Sequence, residues 1–470
     1  MSSSPHPLRC IMDPIAPGSS LHFLGIGGIG VSAVARIALG MGFRVSGSDV
    51  RESRLTIGMR NEGATVYIGH RPEHLDGVDR VVVSTAIPPH NVELIEAKHR
   101  NLPILHRSEL LAWFVSQYRS VGVTGTHGKG TISAMVASIL DADHQQPGFI
   151  IGGFLTQFQT NARAGSGTWM VVEVDESDGS HANVPVNDLV CNFLEADHLN
   201  YYRDLDHIIE SMAEVVNQGP SLNHLYVNGD CPGNRRLLTM VNKPATTYGV
   251  ETDVDYRGRA VDTSQLPLKF EAFARGESLG IFTLPLAGRY NIVNAMGAIA
   301  VAHRLGVPVE SMRRGLADCR GLENRFTIRQ AGGITLVKDY NSHPTAIRKV
   351  LESARDLAHG KVYSVFKPYR YTLTNYLREE YATAFKGSDT VVITTMYAAN
   401  EDPIPGVDTE FVVRLLQDGG LFVKHIPDQN MIVDWLRSVV EPGDQVIFFG
   451  GDDFFAMADA WADSIEVSPS

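Results

Sequence analysis

The sequence predicts an α/β protein of three domains, and three observations carry that reading. Two glycine-rich loops, at residues 25–30 and 125–129, each stand between an apolar strand-like run and a helix-like run. A further strand–helix alternation occupies the chain from about residue 325 onward. The length of 470 residues also exceeds what one core usually supports. The expected division is a disordered lead-in at 1–20, then domains at 21–117, 118–324 and 325–470.

The first domain opens on the short apolar run from His22 and the loop GIGGIG, which has the GxGxxG spacing. A helix follows from about Val31, then a strand ending at Asp49, an acid about 20 residues beyond the loop. This is the first turn of a Rossmann-like nucleotide domain. Its glycines let a helix N-terminus approach a pyrophosphate. The next strand, from Arg80, ends in Ser84 and Thr85 on the same sheet edge as the glycine loop.

The second domain opens with VGVTGTHGKGTIS at 121–133. A strand feeding a glycine loop, a lysine and a helix is the pattern of a P-loop-type ATPase domain. Backbone N–H groups face the anion there, and Lys129 adds a point charge. The position after the lysine, where a hydroxyl normally serves magnesium, is Gly130. The apolar strand from Trp169 ends in Glu173, Asp175, Glu176 and Asp178, the ordering of a magnesium site after a phosphate loop, although a solvated acidic turn has the same composition. Glu195 and His198 follow the strand from Asp188. Residues 253–284 read as β-rich, and an alanine-rich helix follows from about residue 288, where Asn291 serves either a ligand or a helix cap. The third domain reads as a further α/β sheet and carries Asp339, His343 and Arg370 at strand ends.

Composition limits the partners. With 41 basic and 53 acidic residues the formal charge is −12, and no long basic run points to nucleic acid or an anionic membrane. No stretch of about 18 apolar residues suggests a membrane span, so a cytoplasmic location is expected. Cys10, Cys191, Cys231 and Cys319 form no CxxC pair and read as reduced thiols.

The motifs GIGGIGVSA, SGSD, STAI, GTHGK, EVDESD, EADH, GRYNIVNA, NRF, DYNSHP, KPYRYT and DPIPGVD occur in that order. In order and spacing the chain resembles the Mur ligases of peptidoglycan synthesis from about residue 21 to 462. The resemblance implies that the C-terminal domain is Rossmann-like and closes over the other two, in an ATP- and Mg2+-dependent carboxylate–amine ligase working through an acyl phosphate. Its substrates would be UDP-N-acetylmuramate or a related UDP-sugar carboxylate and a small, L-alanine-like amino acid, in a monomer or homodimer. Gly125, Thr126, Gly128, Lys129, Gly130 and Thr131 would then cradle ATP phosphates. Asn291 and Asn294 would hold adenine. Arg325 would sit at the hinge, and Asp339 would contact the ribose or hold that hinge. Glu173, His198 and Thr131 would serve the metal. Lys129, Glu173, His198, His343 and Arg370 would carry catalysis. Gly25, Gly27, Gly28, Gly30, Asp49, His70, Ser84, Thr85 and His127 would line the UDP-sugar site.

The departures from the family pattern gather near the chemistry. Gly130 replaces a threonine, Ser342 a histidine, Asn324 an arginine, Tyr290 and Tyr369 histidines, and Asn200 an acid. A ligase retuned to another amino acid or acceptor, and a nucleotide-binding protein without turnover, are the two alternatives this pattern leaves open.

Overall fold

The computed structural model describes residues 15–177, 179–199, 201–399 and 401–467. Asp178, Asn200, Cys10 and the lead-in up to residue 14 lie outside them. Within the lead-in, Ile15 is packed in the first core and Ser20 already begins the first strand.

Among the described residues there are three sheets. The first is parallel, in the order β3-β2-β1-β4-β5, with β1 Ser20–Leu24, β2 Arg44–Asp49, β3 Thr65–Ile68, β4 Arg80–Val83 and β5 Ile104–His106. The second has ten strands. Its parallel centre contains β6 Arg119–Thr124, β7 Gly148–Leu155, β9 Trp169–Glu173, β10 Asp188–Cys191, β11 His224–Asn228 and β12 Ala245–Gly249. At one edge β8 Thr160–Arg163 pairs antiparallel with β7. At the other, β13 Tyr256–Asp262, β14 Leu268–Ala274 and β15 Glu277–Leu284 form the antiparallel extension expected from the β-rich stretch. The third sheet runs β16-β17-β21-β18-β19-β20, from β16 Thr327–Ala331 and β17 Ile334–Asp339 through β18 Val362–Phe366, β19 Thr390–Ile393 and β20 Val423–His425 to β21 Gln445–Phe449.

Strands buried on both faces explain why the sequence shows apolar runs rather than alternation. Every residue of β18 and β21 is buried. The glycine-containing β7 and the edge strand β8 carried too weak an apolar pattern to be read as strands.

The first two domains share a core: residues around the helix Ile29–Gly40 pack in one cluster with Ile150, Ala162 and Met170. Arg36 reaches Asn161 at 2.5 Å, and Arg54 makes a two-pronged ion pair with Glu323 at 2.6 and 3.0 Å while lying over the Phe154 ring. No helix among the described residues is long and apolar enough to cross a membrane.

Candidate functional site

Beyond the C-terminal ends of β6, β9 and β10, neighbours in the second sheet, lie the phosphate loop, the acidic turn and the 192–198 segment. The loop's glycines are geometric requirements. Gly125 and Gly128 have φ of 113° and 79°, where L-residues are strained. A Cβ on Gly125 would sit 2.6 Å from the Phe193 carbonyl oxygen, and one on Gly128 only 2.4 Å from Asn192 Nδ2. Gly128 then opens the helix Lys129–Ala142. Thr126 ties the loop sideways, its N–H donating to Phe193 O and its hydroxyl accepting from Glu195 N at 2.9 Å.

Behind the loop lies a chain of buried amides. Asn192 Nδ2 donates to His127 O at 2.8 Å and to Asn294 Oδ1 at 2.9 Å. Asn294 Nδ2 donates to Asn291 Oδ1, Asn291 Nδ2 to Ala287 O, and the Tyr248 hydroxyl to Asn192 Oδ1. Asn291 and Asn294, which the family resemblance assigns to adenine, here brace the loop from the rear. Nor does Asn291 cap its helix: the helix runs Tyr290–Arg304 with Arg289 at the cap, so Asn291 stands inside the first turn.

Lys129 Nζ donates to Gly125 O and to Glu176, each at 2.9 Å. Burial works to discharge this ammonium, but Glu176, Asp175 and Glu173 outweigh it and raise its pKa. Glu176 is the residue that sequence reasoning left without a role. It also lies 3.8 Å from His198 Nε2 and accepts from Thr124 Oγ1. His198 adopts φ of 52°, an uncommon conformation for a non-glycine residue, which turns its ring toward Asp175 and Glu176.

Glu173 occupies a separate cradle. Its Oε2 accepts from Gly152 N at 2.8 Å, and burial raises its pKa. A Cβ on Gly130 would lie 3.1 Å from that oxygen and 3.0 Å from the tip of Leu322; one on Gly152 would lie 3.2 Å from the same carboxylate. Position 130, not 131, therefore faces Glu173, because the next helical residue points about 100° away. Asp175, Glu176 and His198 bring two carboxylates and one imidazole within 4.8 Å of one another, a donor set that suits a hard divalent cation. Replacing Gly130 with serine restores a hydroxyl beside Glu173. It should lower the Mg2+ concentration for half-maximal turnover about fivefold, equivalent to roughly 1 kcal/mol. A magnesium titration checks this, and an unchanged midpoint would mean that Leu322 keeps the hydroxyl out.

The third domain meets the loop through His343, which caps the helix Pro344–Leu357. His343 Nε2 lies 3.2 Å from Ala196 O, and its Nδ1 lies 4.0 Å from Glu195. His127 Nε2 lies 3.2 Å from the same Glu195 oxygen, and the two imidazoles meet edge to face with centroids 4.7 Å apart. Burial pushes the Glu195 carboxyl up, but the His127 contact and the facing charges outweigh it and hold it at about 2. Burial, reinforced by His127, depresses His343 to about 4.

The link into the third domain is conformationally unusual. Asn324 and Phe326 have φ of 60° and 48°. Asp339, buried, accepts from Phe326 N and Asn341 N at 2.9 Å each, while Arg325 donates to Asn341 Oδ1 and lies over Tyr340. Burial raises the Asp339 pKa. These contacts tie Asp339 to the backbone on both sides of the link. Arg370, with φ of 63°, follows β18 and lies over the Tyr369 ring, which stacks on Tyr397.

In the first domain Asp49 Oδ2 accepts from Gly27 N at 2.9 Å, so the acid fixes the glycine loop itself. Ile87, after Ser84 and exposed Thr85, packs toward Gly25, and a Cβ on Gly30 would stand 3.1 Å from the Arg107 guanidinium. His70 is held from behind by fully buried Glu93 at 3.0 Å. Glu93 also meets Ser48 Oγ at 2.5 Å, His74 Nδ1 at 2.6 Å and His22 Nε2 at 3.7 Å. Burial works to raise its pKa, but His22, Ser48, His70 and His74 together outweigh that and hold it at about 2. Because the folded value lies below the ordinary 4.5, this carboxylate stabilises the fold above that pH. The contribution disappears as pH falls from 4.5 toward 2. Glu93→Gln should therefore flatten the acid limb of the stability–pH curve in that window, measured by thermal melts, and loosen His70.

Comparison with known proteins covers nearly the whole chain. Residues 20–119 match the Mur ligase family catalytic domain, 123–302 the Mur ligase middle domain, and 324–451 the Mur ligase glutamate ligase domain. The UDP-N-acetylmuramate–L-alanine ligase of Pelotomaculum thermopropionicum is 38% identical over 440 residues, 93% of this chain and 95% of that protein. The protein of the same name from an Anaeromyxobacter species is 36% identical over 93% of this chain and 96% of its own length. Among solved structures, the UDP-N-acetylmuramate–alanine ligase of Thermotoga maritima shares the fold with a TM-score of 0.77 and 24% identity, covering 95% of this chain and 98% of that one.

Proposed function

The chain belongs to the Mur ligase family, and from that premise we propose that it is an ATP-dependent ligase joining L-alanine to the carboxylate of UDP-N-acetylmuramate. A carboxylate oxygen of the sugar substrate takes the γ-phosphoryl group and ADP leaves. The amine then attacks the acyl carbon, a proton is lost from nitrogen, and phosphate departs.

The observation that carries the reading is Lys129, held charged between Gly125 O and Glu176 at a rigid phosphate loop. Its ammonium would meet the β- and γ-phosphates and offset the charge that builds during transfer. Mg2+, when bound, supplies further charge neutralisation at the phosphates. Asp175, Glu176 and His198, with Glu173 nearby, are the groups that would hold it, and Gly130 offers no ligand. Asn291 and Asn294 would keep the loop in shape. The Gly25–Gly30 turn, braced by Asp49, together with His70, Ser84 and Thr85, would take the UDP-sugar. His127 and His343 would bring the carboxylate and amine sides together as the third domain closes about residues 324–326, excluding water from the acyl phosphate. Arg370 would join from the same closing domain.

Phosphate release from ATP, with UDP-N-acetylmuramate and a panel of single amino acids, tests the proposal. Release is expected with L-alanine. Release with a different amino acid alone would transfer the reading to a retuned ligase, a result to which the tyrosines at 290 and 369 would then be relevant. ATP binding with no release under any pair would sink it.

A further inference from the structure

We propose that His127, Glu195 and His343 form a zinc-class metal site that bridges the second and third domains and, when filled, arrests the enzyme. One ligand atom from each of the three residues falls within 4.8 Å of the others. His127 Nε2 to Glu195 Oε2 is 3.2 Å, and His343 Nδ1 to the same oxygen is 4.0 Å. A tetrahedral zinc with bonds of roughly 2.0–2.2 Å sets its ligand atoms roughly 3.3–3.6 Å apart, between those two distances. Side-chain rotation that brings all three separations, each within 4.8 Å, to that spacing would close the set.

The donor chemistry separates this cluster from its neighbour. Two imidazoles and one carboxylate suit a borderline-soft ion, whereas the carboxylate-rich set around Lys129 suits magnesium. Two histidines, one acid and one open position is also the composition of zinc centres that keep a coordination site free. The outer contacts are in place. His343 Nε2 faces Ala196 O at 3.2 Å, and donation there leaves the Nδ1 lone pair on the Glu195 side, where its competitor is the long 3.3 Å cap bond from Thr345 N that the ion would replace. Asp197, half-buried, adds negative charge beside the set. His343 is uncharged near neutral pH and needs to lose no proton before it ligates.

The location determines the consequence. His127 belongs to the phosphate loop two residues before Lys129, Glu195 to the segment after β10, and His343 to the third domain. An ion on all three fastens the third domain to the loop and occupies the corner where the two reacting substrates would meet. Metal binding stands independently of the ligase reading, and only the inhibitory effect rests on it.

The test uses the full chain without nucleotide or sugar, so that its outcome is separate from that of the ligase assay. Zn2+ is titrated in competition with a chromogenic chelator under excess Mg2+, and Co2+ is added separately as an absorption probe. One tightly held Zn2+ per chain and an intense, tetrahedral-type Co2+ spectrum are expected. His343→Gln and Glu195→Gln should each weaken zinc about tenfold or more. Zn2+ should raise the melting temperature of the parent chain but not of His343→Gln, a control that also reports whether the variant is folded. His198→Gln should leave zinc affinity unchanged. Zinc lost to the chelator at once, or affinity that survives in His343→Gln and falls in His198→Gln, would overturn the proposal; the second result places the ion at Asp175, Glu176 and His198. If zinc binds as expected, inhibition of phosphate release by micromolar Zn2+ follows from the ligase reading.

Discussion

Lys129→Met is expected to lower kcat on the order of a thousandfold, the scale of losing a preorganised charge at a reacting phosphoryl group. The side chain is nearly buried, and both of its hydrogen bonds lie within the loop and acidic turn that it serves. Methionine preserves its length and lets it stay buried, but leaves Glu176 without its cation. A buried, uncompensated carboxylate destabilises by a few kcal/mol, so the melting temperature should fall as well. The double variant Lys129→Met/Glu176→Gln separates the two effects. It should regain most of the lost stability and none of the lost turnover. Recovery of activity along with stability would show that Lys129 is only a structural partner of Glu176. Steady-state phosphate release together with thermal melts reads both quantities.

Gly128→Ala is expected to have the second largest effect. The added Cβ would stand 2.4 Å from Asn192 Nδ2 and 2.6 Å from Asn294 Oδ1 at a φ of 79°. The backbone conformation alone costs an alanine roughly 1–2 kcal/mol. Displacing Asn192 also removes its bonds to His127 O and Asn294, each worth about 1 kcal/mol. A loss of about 3–4 kcal/mol should accompany a collapse of ATP binding, measured by denaturant unfolding and by nucleotide titration. Gly18→Ala is the control: its φ is 78°, but nothing lies within 4 Å of its added Cβ. It should incur the backbone strain alone and leave ATP affinity intact.

The parts legible in the sequence are those fixed by local geometry. Glycines 125 and 128 signal positive φ, and the lysine after them signals an anion. Buried parallel strands such as β18 and β21 announce themselves as continuous apolar runs. The parts that escaped depend on partners distant along the chain. Glu176 stands among neighbouring acids, and only the fold shows that it, rather than Glu173, grips Lys129. Glu195 gains its role from a histidine about 150 residues away in another domain, a pairing to which spacing gives no clue. Glu93 lies in the helix Val92–His99, while the histidines around it come from elements elsewhere in the first domain. The strand β7 is hidden for a different reason: its three glycines, two of them adjacent, interrupt the apolar signal although Phe149, Ile150 and Ile151 provide a short buried run.

The amide chain behind the phosphate loop has a further consequence. Asn192, Asn291 and Asn294 carry no titratable proton, and burial drives the Tyr248 phenol well above its ordinary range. The rear wall of the loop is thus electrically silent from acid to alkaline solution. The front, by contrast, is built from imidazoles and carboxylates whose charges change with pH. Acid or base can then change the charge at the front of the loop while its rear support stays constant, so a pH profile of turnover reports on the imidazoles and carboxylates of the cleft and not on the amides behind them.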